Sequence, residues 1–286
     1  MTVSRRRFAS ALAALTAGSL AACSSKPPRP SIGGEQLIGS VARTAVPVSR
    51  APDLASAVAA CDTLGATALS AQLADGAHSN ALVSPASLGL SLAAAALGAT
   101  DPAAQGINTG LGCADEATRN TTWSAIQNAL LAYDGDPSSF DLSAKAPEKP
   151  LLHVAYQLLV IAEEGQSTVN QDFIDGVGQW FSADLRRSTP AQARAVLDAW
   201  AKLHTGGLIE KSAITRMDPG FVVQNAVLFA ARWKTMFEES STHDQDFTLP
   251  DGAVVQVPMM HQSAHMTCTM GSSGASGWKV LRVPYS

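Results

Sequence analysis

Apolar residues recur along this 286-residue chain at two different spacings. Over 54–73 and again over 190–203 they return every three or four residues, which predicts helices that bury one face. Over 151–161 and 222–229 they form short runs that are apolar on both faces, as in a strand covered on both sides. Short strands separated by turns are predicted after that. Helices therefore come first and strands later, an order that favours an α+β fold in a single domain.

Local signals indicate where several helices begin and end. Ser84 and Pro85 precede a run rich in alanine and leucine that ends at Gly98. Ser84 is therefore predicted as a helix N-cap and Pro85 as the first helical residue, in a helix that is buried. Further helices are predicted over 122–132 and 172–181. The glycines at 206–207 are expected to end the helix that begins at Pro190.

The N-terminus has the composition of an export signal. Three arginines at 5–7 precede an apolar run over 8–20 that is too short to span a bilayer. The sequence Leu-Ala-Ala-Cys that ends at Cys23 resembles a bacterial lipobox, in which that cysteine is lipidated and becomes the mature N-terminus. An ordinary cysteine near a cleavage site is the alternative. The arginines also resemble a twin-arginine signal, so the choice between that route and the general secretory route stays open.

These signals predict three parts of the chain. Residues 1–23 are predicted as a lipoprotein signal peptide, 24–51 as a flexible tether rich in Gly, Ser and Pro, and 52–286 as the globular domain. The protein is thus expected to be exported and anchored by lipid at the outer face of the cytoplasmic membrane or at the cell surface. The membrane is therefore a predicted partner through that anchor.

Composition narrows the possible partners and chemistry. A net charge of −4 and a pI near 5.8 provide no basic stripe for phosphates, so nucleic acid is not expected as a partner. Beyond the signal, an odd number of cysteines remains, so at most one disulfide forms and its pairing stays open. These cysteines are Cys61, Cys113 and Cys268.

The candidate motifs for catalysis or metal binding are weak. The segment 271–277 contains glycines and serines but no Gly-x-Ser-x-Gly elbow, and it is interpreted as a flexible loop. His261, His265 and Cys268 have a spacing that suits metal ligands on a helix, whereas their surroundings predict strand and loop. We therefore predict no enzyme, no metal site and no cofactor.

The segment from Asn225 to Phe237, Asn-Ala-Val-Leu-Phe-Ala-Ala-Arg-Trp-Lys-Thr-Met-Phe, carries a family resemblance. Together with Asp-Phe at 246–247 and Val-Pro-Met-Met at 257–260, it resembles the serpins, protease inhibitors that trap their target by a fold change. The resemblance covers 52–286. It implies an α+β fold with many helices, a large central β-sheet and smaller sheets, of which the C-terminal part is missing here.

The resemblance assigns roles to a small set of positions. Ser84, Pro85 and Ser87, with Asn80, are similar to the start of the helix under the main sheet, which the family calls the shutter. Asn225 resembles the shutter asparagine of the third strand. Trp233 and Thr242 resemble residues of the breach, where insertion begins. The chain departs from the family pattern at 230–231, where Ala-Ala replaces Lys-Gly, and at Asp198, where asparagine is usual.

The resemblance also implies a mechanism and a protease partner. In the family, a serine or cysteine endopeptidase attacks an exposed loop and forms its acyl-enzyme, and the loop then inserts into the main sheet as a new strand. The segment 280–285 resembles a strand after which the family continues through that loop. We therefore expect the 286 residues alone not to inhibit, and an exposed sheet edge to favour self-association. Two alternatives are a non-inhibitory, surface-tethered binding lipoprotein on a serpin scaffold and a non-functional fragment.

Overall fold

The computed structural model describes residues 31–74, 81–166, 168–249, 251–273 and 276–286. The signal peptide, Cys23 and Asn80 lie outside these residues. The α-helices are α1 (Leu54–Leu73), α2 (Pro85–Ala95), α3 (Ala103–Gly110), α4 (Glu116–Leu131), α5 (Gln171–Trp180) and α6 (Pro190–His204). The strands are β1 (Glu35–Gln36), β2 (Leu151–Ile161), β3 (Asp184–Ser188), β4 (Gly220–Ala230), β5 (His243–Thr248), β6 (Val254–Met259), β7 (Thr267–Ser273) and β8 (Ser276–Arg282).

Four of these strands form the main sheet, in the order β1-β3-β2-β4. Strand β2 pairs antiparallel with β4 along its full length, from Leu151 opposite Ala230 to Ile161 opposite Gly220. On its other side β2 pairs in parallel with the short strand β3. Strand β2 has the predicted bounds, and this long apolar strand lies in the interior of the sheet.

Helices cover both faces of the main sheet. One face, here called the core face, carries Tyr156 and Leu158 of β2, which cluster with Leu90 of α2 and Trp123 of α4. The other face, here called the α6 face, carries the intervening residues of β2, and α6 packs across it. Since residues directly opposite in an antiparallel pair share a face, Asn225 lies on the core face, opposite Tyr156.

Close approach of two helices fixes the centre of the core face. Gly89 of α2 lies so near Trp123 that a Cβ atom placed on it would be 2.0 Å from the indole ring. Helix α4, which carries Trp123, begins with a capping box in which Asp115 accepts the backbone N–H of Thr118 and the Thr118 hydroxyl accepts the backbone N–H of Asp115. Glycine at position 89 is therefore required by packing.

The segment before α1 is packed on the domain, which corrects the predicted tether. Glu35 and Gln36 pair with β3, and the backbone N–H of Ser40 donates to the Asp175 carboxylate at 2.7 Å. Further along, Asn128 of α4 donates to the carbonyl of Val46, which is buried. The prediction of a flexible tether is therefore wrong from residue 35 to 51, because this segment adds a strand to the sheet and its polar groups find partners on α4 and α5.

The last four strands form two separate hairpins, β5-β6 and β7-β8. The prediction of a flexible loop over 271–277 is wrong at the described positions, because residues 271–273 and 276–277 pair within the second hairpin. The three described cysteines are free thiols. Burial raises the pKa of the Cys113 thiol to about 11, so this thiol stays protonated at neutral pH.

Helix α1 is, among the described residues, the one helix that is long and apolar enough to cross a membrane. In this structure Ala57 of α1 belongs to the core cluster, while Val58 and Leu73 face outward. The predicted helix over 54–73 is confirmed in its bounds.

Candidate functional site

The candidate site is the open edge of the main sheet, formed by β4. This strand has 11 residues and lies at the end of the strand order, so one row of its backbone groups has no partner strand within the described part of the chain. Gln224, Ala226 and Leu228, on the α6 face, are buried. Phe221 and Phe229, on the core face, are each nearly half exposed.

Exposure of β4 corrects the prediction that it is covered on both faces. The Asn225 side chain is exposed, and it forms no hydrogen bond with a residue that the structure describes. Its cross-strand neighbour Tyr156 is buried, accepts a hydrogen bond from Gln127 at 2.6 Å, and has its pKa raised by burial. The difference arises because β2 has a strand on each side, whereas β4 has one.

The residues predicted for the shutter lie at the start of α2, beneath β2 and β4. Ser84 occupies the N-cap position and Pro85 the first helical position, as predicted. The Ser84 side chain, however, makes no capping hydrogen bond, so capping through its hydroxyl is not observed. Ser87 is fully buried, and its hydroxyl has no partner among the described residues. An unpaired buried hydroxyl costs about 1–3 kcal/mol.

The structure therefore places the predicted shutter residues in one region, but they do not form hydrogen bonds with one another within the described residues. Helix α2 contacts β4, yet no hydrogen bond connects Ser84 or Ser87 to Asn225 within the described residues. Within α2 itself, the Ser91 hydroxyl donates to the Ser87 carbonyl at 2.9 Å. The family roles of these four residues remain predictions.

Trp233, which is predicted for the breach, joins residues 284–286 to the segment after β4. Its ring stacks on Tyr285, with centroids 4.5 Å apart and planes 11° apart, and the two residues form a β-bridge. Phe229 meets the same tyrosine edge-on at 5.0 Å. The same two segments are joined by backbone hydrogen bonds, in which Lys234 donates to the Pro284 carbonyl and Ser286 donates to the Arg232 carbonyl. Such an aromatic pair stabilises the fold by about 0.5–1.5 kcal/mol, in addition to the effect of the apolar area that it buries.

Thr242 lies elsewhere, at the end of a short 3-10 helix (Glu239–Ser241) that leads into β5. It is half-buried, and its backbone N–H donates to the Glu239 carbonyl. Its side chain makes no hydrogen bond with the described residues. Its assignment to the breach therefore stays a prediction.

A cavity of about 410 Å³ opens beside the end of β4. Its walls are mainly apolar and aromatic, with one lysine and one aspartate from the loop between α4 and β2. The main apolar lining residues are Phe140, Leu142, Leu151, Phe229, Trp233 and Tyr285. The aromatic cluster and the open strand edge thus meet at one end of the sheet.

On the α6 face, hydrogen bonds join the sheet to its covering helix. The Gln224 amide donates to Gln157 at 2.9 Å and to the Leu197 carbonyl of α6 at 3.3 Å, while its oxygen accepts from Ser212 at 2.9 Å. Ser212 in turn donates its backbone N–H to Asp198 of α6 at 2.9 Å. No sequence signal predicts this network, because glutamines within a strand have no spacing that identifies their partners.

A second polar contact on this face involves two histidines. The Asp134 carboxylate lies 2.6 Å from Nδ1 of His153, and Nε2 of His153 lies 2.9 Å from Nδ1 of His204. His153 is on β2, and His204 is in the last turn of α6, where it also packs on Trp200. His261 and His265, whose spacing was considered for metal binding in the sequence, are not part of this group; His261 stacks on His243 at 4.3 Å.

Comparison with known proteins identifies the class of this fold. The family model described as "Serpin (serine protease inhibitor)" matches residues 60–286, and the chain therefore belongs to the serpin family. The fold is also shown by solved structures. Native protease nexin-1 with heparin has a TM-score of 0.64 at 20% identity, covering 82% of this chain and 62% of that one. The thermophilic serpin tengpin in its native state has a TM-score of 0.62 at 19% identity, covering 88% and 60%.

Curated relatives give the same family. Neuroserpin of Gallus gallus is 27% identical over 195 residues, which is 61% of this chain and 46% of the relative. Plasminogen activator inhibitor 1 of Mus musculus is 35% identical over 99 residues, which is 33% of this chain and 24% of the relative. The chain thus matches less than half the length of either relative.

Proposed function

We propose that this chain forms the strand-accepting body of a serpin-type inhibitor of serine or cysteine endopeptidases. The observation that carries the proposal is the unpaired edge of β4, because an incoming extended segment needs a row of free backbone groups to pair with. Residues under this edge are small or polar at the start of α2, which supports a sheet whose strands can separate.

The mechanism that fits is covalent trapping. A protease attacks a peptide bond of an exposed loop through its own nucleophile and forms an acyl-enzyme. The cleaved loop then pairs with the open sheet edge, and release of stored strain drives that step. In this chain β4 supplies the pairing edge, and the stack of Trp233 on Tyr285 holds the end of that strand in place. The chain is assigned no catalytic residue of its own.

The proposal is tested on the protein isolated from its source cells. It is incubated with trypsin-like, chymotrypsin-like and elastase-like serine proteases and a papain-like cysteine protease, and analysed on denaturing gels. We expect one protease to give a complex that survives SDS and boiling and contains peptides from 33–286. A protease whose active-site nucleophile has been blocked is the control and gives no complex.

Two outcomes contradict inhibition by trapping. Cleavage of the protein by every protease without a stable complex, or no cleavage at all, favours the non-inhibitory binding scaffold. The 286-residue chain produced alone is expected to form no complex. If it does form one, the expectation that the reactive loop lies outside these residues is wrong.

We also propose that the protein is exported and lipid-anchored through Cys23, on the basis of the arginines at 5–7, the apolar run and the lipobox-like sequence. Cells grown with an alkyne-tagged fatty acid are expected to label the wild type and not the variant Cys23→Ala. Cys268→Ala is the matched control and keeps the label. Equal labelling of both variants, or none in the wild type, contradicts the anchor.

A further inference from the structure

Three titratable side chains form a continuous hydrogen-bonded chain between the sheet and the last turn of α6. Asp134 comes from the loop after α4, His153 from β2 and His204 from α6. His153 is about nine-tenths buried, so its contacts are shielded from water. We propose that this group, called here the acid latch, holds the C-terminal end of α6 on the sheet at neutral pH and releases it in acid.

The geometry fixes where the protons are at neutral pH. A carboxylate only accepts, so His153 donates Nδ1–H to Asp134 across 2.6 Å. The Nε2 atom of neutral His153 is then an acceptor, and Nδ1 of His204 must donate to it across 2.9 Å. One arrangement of protons therefore satisfies both contacts when both imidazoles are neutral.

One added proton is compatible with this arrangement, whereas two are not. A single proton can be carried by the pair while the hydrogen bond between the rings is kept. When both rings are cationic, Nε2 of His153 and Nδ1 of His204 each carry a hydrogen and face each other at 2.9 Å. The hydrogen bond is then lost and two like charges are in contact.

The surrounding charges do not remove this conflict. On the loop, the Asp136 carboxylate accepts from the backbone N–H and hydroxyl of Ser138, and the 3-10 turn 137–139 that follows it contacts α6. On α6, Lys202 pairs with Glu210 at 2.8 Å. Strand β4 places the uncharged Leu228 opposite His153, and Trp200, against His204, is also uncharged. No group fits between two ring nitrogen atoms that are 2.9 Å apart, so these charges do not prevent two N–H groups from meeting there.

The sign of the pH effect follows from proton counting. Once the end of α6 is detached, His153 on β2 and His204 on α6 no longer face each other, so each can bind a proton of its own in acid, whereas the latched pair binds at most one. The open form therefore binds more protons, and latching weakens as the pH falls. The effect is local, because the polar network around Gln224 and Leu197 holds the middle of α6 independently. The acid latch does not depend on the proposed inhibitory function.

Hydrogen exchange of the full chain tests the latch. Exchange is measured by mass spectrometry at pH 7.5 and pH 5.0 and corrected for intrinsic rates. In the wild type we expect protection of 200–207 to fall roughly tenfold at pH 5.0, since one missing proton changes the equilibrium up to tenfold per pH unit. Protection of 190–197 is expected not to change. Equal protection of 200–207 at both values overturns the proposal.

The key variant is His204→Asn, whose side-chain amide can donate from the position of Nδ1 but cannot become a cation. It is expected to keep protection at pH 7.5 and to lose the acid response. His265→Asn, which changes an exposed histidine outside the latch, is the matched control and keeps the wild-type response. An acid response in His204→Asn that equals that of the wild type overturns the proposal.

A measurement on the unmodified protein covers the case in which the variant fails to fold. Long-range proton–nitrogen NMR spectra distinguish the two neutral imidazole tautomers. We expect His153 in the Nδ1–H form at pH 7.5. The Nε2–H form at that pH contradicts the latch, because the ring could then not accept from His204.

Discussion

The two faces of the main sheet are buried by different chemistry. On the core face, fully buried apolar side chains such as Leu90, Trp123 and Leu158 interlock around Gly89. On the α6 face, apolar residues alternate with hydrogen-bonded ones, among them Gln157 and Gln224. When a face opens, water can replace its hydrogen bonds at small net cost. Water does not replace apolar contacts in this way, because exposing apolar surface costs about 25 cal/mol per Å². The α6 face is thus the one that can open locally, while the core face sets the global stability.

The largest predicted effect is on the core face. Trp123→Ala removes a fully buried indole and its hydrogen bond to the Leu111 carbonyl. It is expected to lower the free energy of unfolding by about 4 kcal/mol, as large-to-small core substitutions of this type do. Chemical denaturation followed by circular dichroism measures it. Trp278→Ala, at a half-exposed hairpin position, is the control; a loss below that of the control contradicts the core assignment.

The next effect is on the α6 face. Gln224→Ala leaves Gln157 and Ser212 without their partner and is expected to lower the free energy of unfolding by about 1–3 kcal/mol. The same denaturation experiment measures it, with Gln192→Ala, an exposed change on α6, as the neutral control. If Gln224→Ala costs no more than Gln192→Ala, the network does not hold α6.

The end of α6 provides a matched pair of glycines. Gly206 and Gly207 both have positive φ, of 61° and 83°, but only at Gly206 would an added Cβ meet a neighbour, the Pro137 carbonyl at 2.8 Å. Gly207→Ala is expected to cost about 1 kcal/mol from backbone strain alone, and Gly206→Ala distinctly more. Thermal unfolding compares the two. Equal losses would show that the loop at Pro137 yields freely and does not hold the end of α6.

A smaller contrast separates the two buried tryptophans. Trp123 Nε1 donates to a carbonyl, whereas Trp200 Nε1, on α6, has no partner among the described residues. Trp123→Phe is therefore expected to cost about 1 kcal/mol more than Trp200→Phe, since the latter loses no hydrogen bond. Denaturant midpoints measure the difference. The reverse order would mean that the Trp200 indole finds a partner in solution.

The smallest effect concerns the segment before α1. Hydrogen bonds from Ser40 hold the pKa of Asp175 below its ordinary value. The resulting stabilisation is present above about pH 3.9, the ordinary aspartate value, and is lost as the pH falls through the lower value of the folded protein. Limited proteolysis between 35 and 51 is therefore expected to be faster for Asp175→Asn than for wild type at pH 7, and the difference is expected to shrink as the pH falls below about 3.9. A difference that grows as the pH falls contradicts this.

Much of the local structure could be predicted from the sequence, because the signals are local. Pro85 and Pro190 start their helices where predicted, and the glycines at 206–207 end one. The apolar run over 151–161 is one strand, as predicted. Strands β1 and β3 could not be predicted from the sequence. Strand β1 has only two residues, and β3 has five residues of which three are charged, so neither shows an alternation of apolar and polar positions.

Only the tertiary structure decided which polar side chains meet. His153 and His204 are 51 residues apart in sequence, and Gln157 and Gln224 are 67 apart, so no spacing predicts either pair. It also decided that Asn225 is exposed, because exposure depends on which strand lies next to β4. The sequence by itself determined the family, the helix ends and the longest strands, since those depend on neighbours in the chain. The hydrogen bonds of the α6 face depend on neighbours in space.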